Sequence, residues 1–252
     1  MKLWLQDRIV NESESGFVES WPTGTGIFET LLTCEGQVYE FNRHMRRALS
    51  SSQQLGFKIP SEGFVRDAVI QVLDSEPLPL GRMRIHFAGD FFAITHAPYS
   101  PPDAPATLIS KGMARVEGVH KKYPYTERLK ILRDANEQMA DDFILWNTES
   151  NQVTESAISN VLLLLNGQWC TSPLNTGILP GVVRALAIEY CEVKVRDISK
   201  SEISLATSGL LTSSLKVAQV IHSIDGRELR DQQAALDKAA QIRENYQRTS
   251  VG

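Results

Sequence analysis

The feature of the 252-residue sequence that most constrains its fold is a strand–turn–strand pattern in the second half. Five apolar residues, Val161–Leu165, are followed by Asn166-Gly167 and then by Gln168–Thr171. Because Asn-Gly tolerates the positive φ angles of a tight turn, this pattern predicts a β-hairpin. The apolar run is far too short to span a membrane. We therefore expect a pair of antiparallel strands around this turn.

Strand-like and helix-like patterns alternate along the rest of the chain. Met83, Ile85 and Phe87 alternate with polar residues, which is typical of a half-buried strand. Asn42 is a candidate N-cap for a helix from Arg43 to about Gln54, which Gly56 would end. A second helix is predicted from Thr126 to about Met139, and its predicted apolar face consists of Leu129, Leu132, Ala135 and Met139.

This mixture of strands and helices in two halves predicts an α+β protein of two domains. The linker is expected near Gly112–Gly118, a glycine-containing stretch that follows proline-rich sequence. We expect an N-terminal α/β domain over residues 1–113 and a C-terminal α+β domain over residues 114–252.

Composition excludes several classes of function. The formal net charge of −4, with both signs interspersed, does not favour a nucleic-acid surface. Cys34, Cys170 and Cys191 are scattered, which indicates reduced thiols and not a disulfide framework. The histidines lack the spacing of metal ligands, so no metal is expected. The first residues do not resemble a signal peptide, and no partner beyond a small molecule or a second copy is indicated; a cytoplasmic protein is expected.

The longest informative stretch runs from His120 to Arg184 and contains ADDFILWN, VTE and LPGVVR. Together with the earlier GIFETLL and FNRHMRRAL and the later TSSLKVAQVIHSIDGREL, it resembles the class IV aminotransferase family. These are the fold-type-IV pyridoxal phosphate enzymes, which include branched-chain and D-amino-acid aminotransferases and aminodeoxychorismate lyase. The resemblance covers most of the chain, in the right order.

This resemblance implies a two-domain fold like that of D-amino-acid aminotransferase. It also implies pyridoxal 5′-phosphate as the cofactor, bound in the cleft between the domains. From the same resemblance we expect a homodimer that acts on a small-molecule amino substrate.

The resemblance implies that a lysine near residue 121 forms the Schiff base with the cofactor. Such a lysine must be neutral to attack an aldehyde, so it needs a pocket that lowers its pKa. Alignment of the following helix without gaps selects Lys121, whereas counting back from Glu155 selects Lys122. We prefer Lys121 as the catalytic residue and keep Lys122 as the alternative.

The resemblance also implies the groups that hold the cofactor. Glu155 would lie opposite the pyridine nitrogen and keep the ring protonated. The phosphate would be bound by Arg47, by the amides of Val182 and Val183 at a helix N-terminus, and by Ser214.

Three further positions are candidates on weaker grounds. Tyr125, or alternatively Tyr123, corresponds to a family tyrosine near the cofactor hydroxyl. Arg84 or Arg82 would face a substrate carboxylate, since one face of their strand is basic. The third is Glu29, which the Phe-Glu-Thr segment would place in the floor of the active site, or which would have a purely structural role.

Details of the match favour a lyase that converts 4-amino-4-deoxychorismate to 4-aminobenzoate and pyruvate, a step of folate biosynthesis. The Gly-x-Phe-Glu-Thr motif, the compact length and the SSLKVAQVIHSIDG segment are the indications. The alternatives are an aminotransferase for branched-chain, D- or other amino acids, and a non-catalytic binding or scaffold protein of the same fold.

Overall fold

The computed structural model describes residues 2–5, 8–11, 24–89, 91–114 and 118–249. Its β-strands are, in chain order, β1 (Lys2–Leu5), β2 (Arg8–Asn11), β3 (Gly26–Cys34), β4 (Gln37–Tyr39), β5 (Gly81–Ala88), β6 (Phe91–Pro98), β7 (Ala106–Met113), β8 (Lys122–Tyr123), β9 (Asp142–Asn147), β10 (Val153–Ser156), β11 (Asn160–Leu165), β12 (Gln168–Thr171), β13 (Lys194–Val195), β14 (Ser208–Ser213), β15 (Val217–Ile224), β16 (Arg227–Glu228) and β17 (Arg248–Thr249). Its α-helices are α1 (Phe41–Leu55), α2 (Glu62–Ser75), α3 (Thr126–Glu137), α4 (Val182–Tyr190) and α5 (Gln232–Asn245).

The described residues divide into two compact units, and the chain passes between them more than once. Unit 1 contains those of Met1–Pro101, His120–Tyr125 and Gln247–Gly252. Unit 2 contains those of Pro102–Val119 and Thr126–Tyr246. Residues 102–113, which the sequence assigned to the first domain, lie in unit 2 because β7 pairs with β9 and β15.

Unit 1 is an antiparallel sheet packed against two helices. The strand order is β17-β4-β3-β5-β6-β1-β2, and β8 adds to β3. Alternation along β3 and β5 directs Ile27, Leu31 and Ile85 into one core with Phe41 of α1 and Val69 of α2. The opposite face of these strands carries polar and aromatic side chains.

Unit 2 is built on a mixed sheet of order β10-β9-β7-β15-β14-β11-β12-β13, and β16 pairs with β15. The predicted hairpin is confirmed, because β11 and β12 pair antiparallel around Asn166-Gly167, both of which have positive φ. The apolar run is buried at every position of β11. Helix α5 packs against β14 and β15, and α3 packs against β9.

Two details of the predicted helices are wrong. Helix α1 begins at Phe41 after Glu40 and not after an Asn42 cap, because the Phe41 side chain is fully buried in the core; the predicted end at Gly56 is confirmed. The buried face of α3 consists of Arg128, Ile131 and Ala135, whereas Leu129 is 44% and Met139 is 92% exposed. Within the described residues, no helix has the length and apolarity needed to cross a membrane.

Candidate active site

Lys121 is held in unit 1 by the pairing of β8 with β3. Its carbonyl accepts a hydrogen bond from the Phe28 amide at 2.9 Å, next to the register pair of Ile27 with Lys122. The Lys121 Nζ lies 4.8 Å from the ring centroid of Phe28 and 5.1 Å from that of Tyr125. Lys122 is exposed to solvent. These surroundings favour Lys121 over its neighbour, and its catalytic role stays a prediction.

Glu29 binds Arg47 and His44 in the interior of unit 1. Arg47 donates from Nε to Oε1 of Glu29 at 2.9 Å and from Nη2 to Oε2. The Nδ1 of His44 lies 2.7 Å from the same Oε2. Both basic residues project from one side of α1, three positions apart. Arg47 is therefore oriented by a buried carboxylate.

Electrostatics determine how the protons are distributed in this cluster. Burial opposes the charge of Glu29, but Arg47 and the hydrogen bonds from His44 and Arg47 lower its pKa to about 2. Burial lowers the pKa of His44 and outweighs the hydrogen bond and the charge of Glu29, which raise it; the charges of Arg47 and Lys121 add to the lowering. Glu29 is thus ionised and His44 neutral near pH 7, so His44 donates its Nδ1 proton.

The other face of β3 and β5 carries Phe28, Arg84 and His86. The rings of Phe28 and His86 stack with centroids 5.9 Å apart, and Tyr125 meets Phe28 edge-on at 5.2 Å. The Arg84 guanidinium carbon lies 5.6 Å from the Phe28 centroid. Burial, with a contribution from Arg84, lowers the pKa of His86 to about 3, so this imidazole is neutral. One aromatic ring therefore contacts both Lys121 and Arg84.

The two candidate tyrosines differ in their surroundings. Tyr125 contacts Phe28 and Lys121, whereas the side chain of Tyr123 is 5% exposed and its hydroxyl lies beside Gly26. A side chain on Gly26 would collide with this hydroxyl and with the Phe87 carbonyl. Burial raises the pKa of Tyr123 to about 12. Tyr125 is consequently the tyrosine that accompanies the candidate lysine.

Glu155 is the buried carboxylate of unit 2. The residue is 3% exposed, and its Oε1 accepts a hydrogen bond from Arg128 Nη2 at 2.7 Å. Its Oε2 accepts from Asn160 Nδ2 at 3.0 Å and from the Leu179 amide at 3.1 Å. Charge-assisted hydrogen bonds of this kind fix the orientation of a carboxylate.

Asp142 supports the turn that follows Glu155. Its carboxylate accepts hydrogen bonds from Ser156 Oγ at 2.8 Å and from the Ala157 amide at 2.9 Å. The register of β9 with β10 shifts between Val153 and Ser156. Burial raises the pKa of Asp142, and the hydrogen bonds from Ser156 and Ala157 oppose that shift.

The N-terminus of α4 lies beside Glu155. Gly181 is the N-cap and provides no side-chain hydrogen bond, while Val182 is 5% and Val183 1% exposed. Asn160 connects the two features, because its Nδ2 also donates to the Leu179 carbonyl at 3.0 Å. The first-turn amides of a helix have no partner within the helix, so a buried N-terminus without a side-chain cap suits an anion.

The Thr212–Ser214 segment is adjacent to these groups. Thr212 of β14 pairs in register with Asn160 of β11. The Ser214 carbonyl accepts a hydrogen bond from the Tyr246 hydroxyl at 2.9 Å, and Ser213 Oγ accepts from the Lys216 amide at 3.2 Å. The loop carrying Ser214 is thus held by the Tyr246 side chain and by a hydrogen bond within the loop.

Each unit contains some of the site residues that were predicted from the sequence. In unit 1 these residues are Lys121, Arg47, Glu29, Tyr125 and Arg84. In unit 2 they are Glu155, Val182, Val183 and Ser214. Sequence reasoning missed Arg128 and Phe28, which contact Glu155 and Lys121. It also missed Asn160, although the Ser-Asn-Val segment that contains it was part of the resemblance.

Comparison with known proteins identifies the family. The family model for amino-transferase class IV matches residues 26–224. The chain belongs to the amino-transferase class IV family. The predicted α+β, two-domain, fold-type-IV architecture is thereby confirmed, and so is pyridoxal 5′-phosphate as the cofactor of an enzyme of this family.

Three proteins that are similar to this chain are the following. The chain is 27% identical over 173 residues to a Schizosaccharomyces pombe protein named "Putative aminodeoxychorismate lyase", covering 66% of this chain and 74% of that one. It is 24% identical over 263 residues to the D-alanine aminotransferase of Listeria innocua, covering 92% and 90%. A pyridoxal-phosphate-bound structure of a hypothetical aminotransferase from Mycobacterium tuberculosis superposes with a TM-score of 0.85 at 19% identity, covering 98% and 99%.

The residues of this chain fit the cofactor of the family. The buried carboxylate of Glu155 is chemically suited to a protonated pyridine nitrogen. The buried start of α4, which lacks a side-chain cap, is suited to a phosphate. Lys121 supplies an amine beside aromatic rings.

Proposed function

We propose that this chain is a pyridoxal-phosphate-dependent lyase that converts 4-amino-4-deoxychorismate to 4-aminobenzoate and pyruvate. The observation that carries the proposal is the position of Lys121, whose Nζ lies against Phe28 and Tyr125 in a chain of the class IV family. The preference for a lyase is supported by the 27% identity with the protein from Schizosaccharomyces pombe.

In this proposal each residue has a specific task. Lys121 would be the residue that holds the cofactor covalently and would act as the base that removes the proton from the carbon bearing the substrate amino group. Glu155 holds the ring nitrogen, and Arg47, Ser214 and the amides of Val182 and Val183 hold the phosphate. Bound pyridoxal phosphate supplies a protonated ring that accepts the electrons left by this proton. Cleavage of the adjacent carbon–oxygen bond would release the three-carbon group as the enolate of pyruvate, which takes up the proton that Lys121 removed, and the remaining ring would become aromatic.

The test combines a product assay with identification of the modified lysine. Pyruvate and 4-aminobenzoate are expected in equal amounts from 4-amino-4-deoxychorismate. Borohydride followed by peptide mapping is expected to attach the cofactor to Lys121. Lys121→Ala should abolish both the formation of the two products and the attachment of the cofactor. The matched variant Lys122→Ala should retain both. A protein that binds no pyridoxal phosphate, or that carries it on Lys122, would contradict the assignment.

An aminotransferase is the second candidate function. The similarity to the D-alanine aminotransferase, which extends over 92% of this chain, favours it. Transfer of an amino group from D-alanine or a branched-chain amino acid to 2-oxoglutarate, without release of 4-aminobenzoate, would establish this alternative. A protein that stays colourless with added cofactor would instead support a scaffold role.

The same proposal includes a homodimer in the cytoplasm that serves folate biosynthesis. Light scattering of the purified protein measures the mass directly. A mass equal to that of one chain would contradict the dimer. It would not bear on the proposed reaction, which the product assay tests separately.

A further inference from the structure

A cleft of about 550 Å³ opens on the surface of unit 2, between the end of β15 and a short 3₁₀ helix over Lys200–Leu205. Small-molecule sites in proteins usually have volumes of about 300–1,000 Å³, so the cleft is large enough for a small organic ligand. Its lining includes Ser110, Lys200, Ile203, Ile224, Asp225 and Arg227.

This cleft lies at the opposite end of the unit 2 sheet from the candidate active site. Val217, at the start of β15, pairs with Ser213 next to the loop that carries Ser214. Ile224, at the other end of the same strand, lines the cleft. The eight residues of β15 separate the two places by about 20 Å. The cleft is therefore distinct from the groups proposed to hold the cofactor.

Hydrogen bonds between separate segments hold the walls of the cleft in place. Arg227 of β16 donates from Nη2 to the Ile203 carbonyl at 3.0 Å, which ties this strand to the 3₁₀ helix. Asp225 Oδ1 accepts a hydrogen bond from the Ser110 amide of β7 at 2.7 Å. A site whose walls are already ordered loses less conformational freedom when a ligand binds. The cleft is thus preorganised for a ligand.

The charged side chains of the cleft leave one positive charge without compensation. Lys200 and Arg227 are basic, and Asp225 is the acidic member of the lining. Among the described residues, no carboxylate forms an ion pair with Lys200 or Arg227. The Lys200 Nζ lies 4.2 Å from the ring centroid of Trp146, and this contact holds the ammonium over the ring. The lining therefore matches a ligand that carries a single negative charge.

The floor of the cleft is apolar. Ile203 and Ile224 are 4% and 2% exposed, and both belong to the hydrophobic core of unit 2. A ligand with an apolar body would cover what remains of this surface and remove it from water. A carboxylate on that body would match the planar donors of Arg227, with the Lys200 ammonium as a point charge.

We propose that this cleft is a second binding site of the protein and that its ligand is a small monocarboxylate with an apolar body. The Asp225 carboxylate disfavours a doubly charged ligand such as a phosphate monoester, because like charges in one site repel each other. The proposal concerns unit 2 alone and does not depend on which reaction the protein catalyses.

The experiment follows the isoleucine methyl resonances of the protein loaded with pyridoxal phosphate by NMR during titration with phenylacetate. The resonances of the two floor residues are assigned from the variants Ile203→Val and Ile224→Val. Both resonances are expected to shift, with a dissociation constant of about 1 mM or lower for a ligand of this size. Phenylacetamide has the same ring without the charge, so it is expected to bind at least about tenfold more weakly.

The variants Lys200→Gln and Arg227→Gln are each expected to weaken phenylacetate binding by about fivefold or more. Lys194→Gln is the matched control, because Lys194 is an exposed lysine of β13 in the same unit. Isoleucine resonances far from the cleft that keep their positions show that each variant is folded.

Three results would overturn the proposal. Phenylacetate and phenylacetamide could bind equally well to the parent protein, a comparison that needs no variant. Folded Lys200→Gln and Arg227→Gln could bind phenylacetate as Lys194→Gln does. Phenylacetate could leave the resonances of Ile203 and Ile224 unchanged, which would show that it does not occupy the cleft.

Discussion

Arg128 donates a hydrogen bond from Nη2 to Oε1 of Glu155 at 2.7 Å, and the two side chains are 9% and 5% exposed. Removing one partner of a buried ion pair leaves the other charge uncompensated, which typically costs about 3–5 kcal/mol. We expect Arg128→Gln to lower the free energy of unfolding by roughly this amount. Urea denaturation followed by circular dichroism measures the change.

Arg133→Gln is the control for this prediction, since Arg133 lies on the exposed side of the same helix. Its effect is expected to stay within about 0.5 kcal/mol. Coincident unfolding curves for Arg128→Gln and Arg133→Gln would show that the buried pair contributes little.

Gly118 packs directly against this ion pair. A Cβ at this position would collide with Oε1 of Glu155 and would lie 2.7 Å from Arg128 Nη2 and 2.8 Å from the Gly177 carbonyl. The backbone has little room to move, because the Gly118 amide donates to that same carbonyl. Gly118→Ala is therefore expected to destabilise the protein by about 1–3 kcal/mol.

The matched variant is Gly63→Ala in α2, where a Cβ would meet nothing within 4 Å. Alanine is the better helix former, so this variant should be neutral or more stable by up to about 1 kcal/mol. Thermal denaturation compares both with the parent protein. Equal midpoints for the two variants would contradict the predicted collision.

His86 should make stability depend on pH. Its pKa is about 3 in the fold against an ordinary value of 6.5, chiefly because the imidazole is buried. Well above pH 6.5 the imidazole is unprotonated in both the folded and the unfolded chain. The stability that depends on a neutral His86 is therefore fully present there. As the pH falls below 6.5 the unfolded chain gains a proton that the folded chain does not, and the free energy of unfolding falls by up to ~1.4 kcal/mol per pH unit until the pH approaches 3.

Urea unfolding of the parent protein and of His86→Gln, at pH values on both sides of 6.5, measures this contribution. Between pH 6.5 and pH 5.5, the free energy of unfolding is expected to fall by about 1 kcal/mol less in the variant than in the parent protein. His222→Gln serves as the control, because the His222 side chain is 46% exposed. If the parent and His86→Gln curves run parallel, the burial of His86 does not govern its protonation.

Local patterns were sufficient where neighbouring residues determine the backbone. The Asn166-Gly167 hairpin, the glycine end of α1 and the start of α4 after Pro180-Gly181 were predicted from short segments. The family, its fold and its cofactor followed from several segments in a fixed order, which single motifs would not have identified.

Local patterns failed where a distant partner decides which side of an element is buried. On α3 the apolar Leu129 and Met139 are exposed, while Arg128 is buried because Glu155 compensates its charge. The cap of α1 was wrong for a related reason, since the burial of Phe41 extends the helix before Asn42.

The sequence by itself determined which family the chain joins and which lysine, glutamate and arginines are candidates for chemistry. The tertiary structure decided which of them share an environment. Lys121 and Arg84 meet at Phe28, although they are far apart in sequence, because β3 pairs with both β5 and β8. Strand pairing brings distant residues together through backbone hydrogen bonds, so a pattern read along one strand cannot specify them.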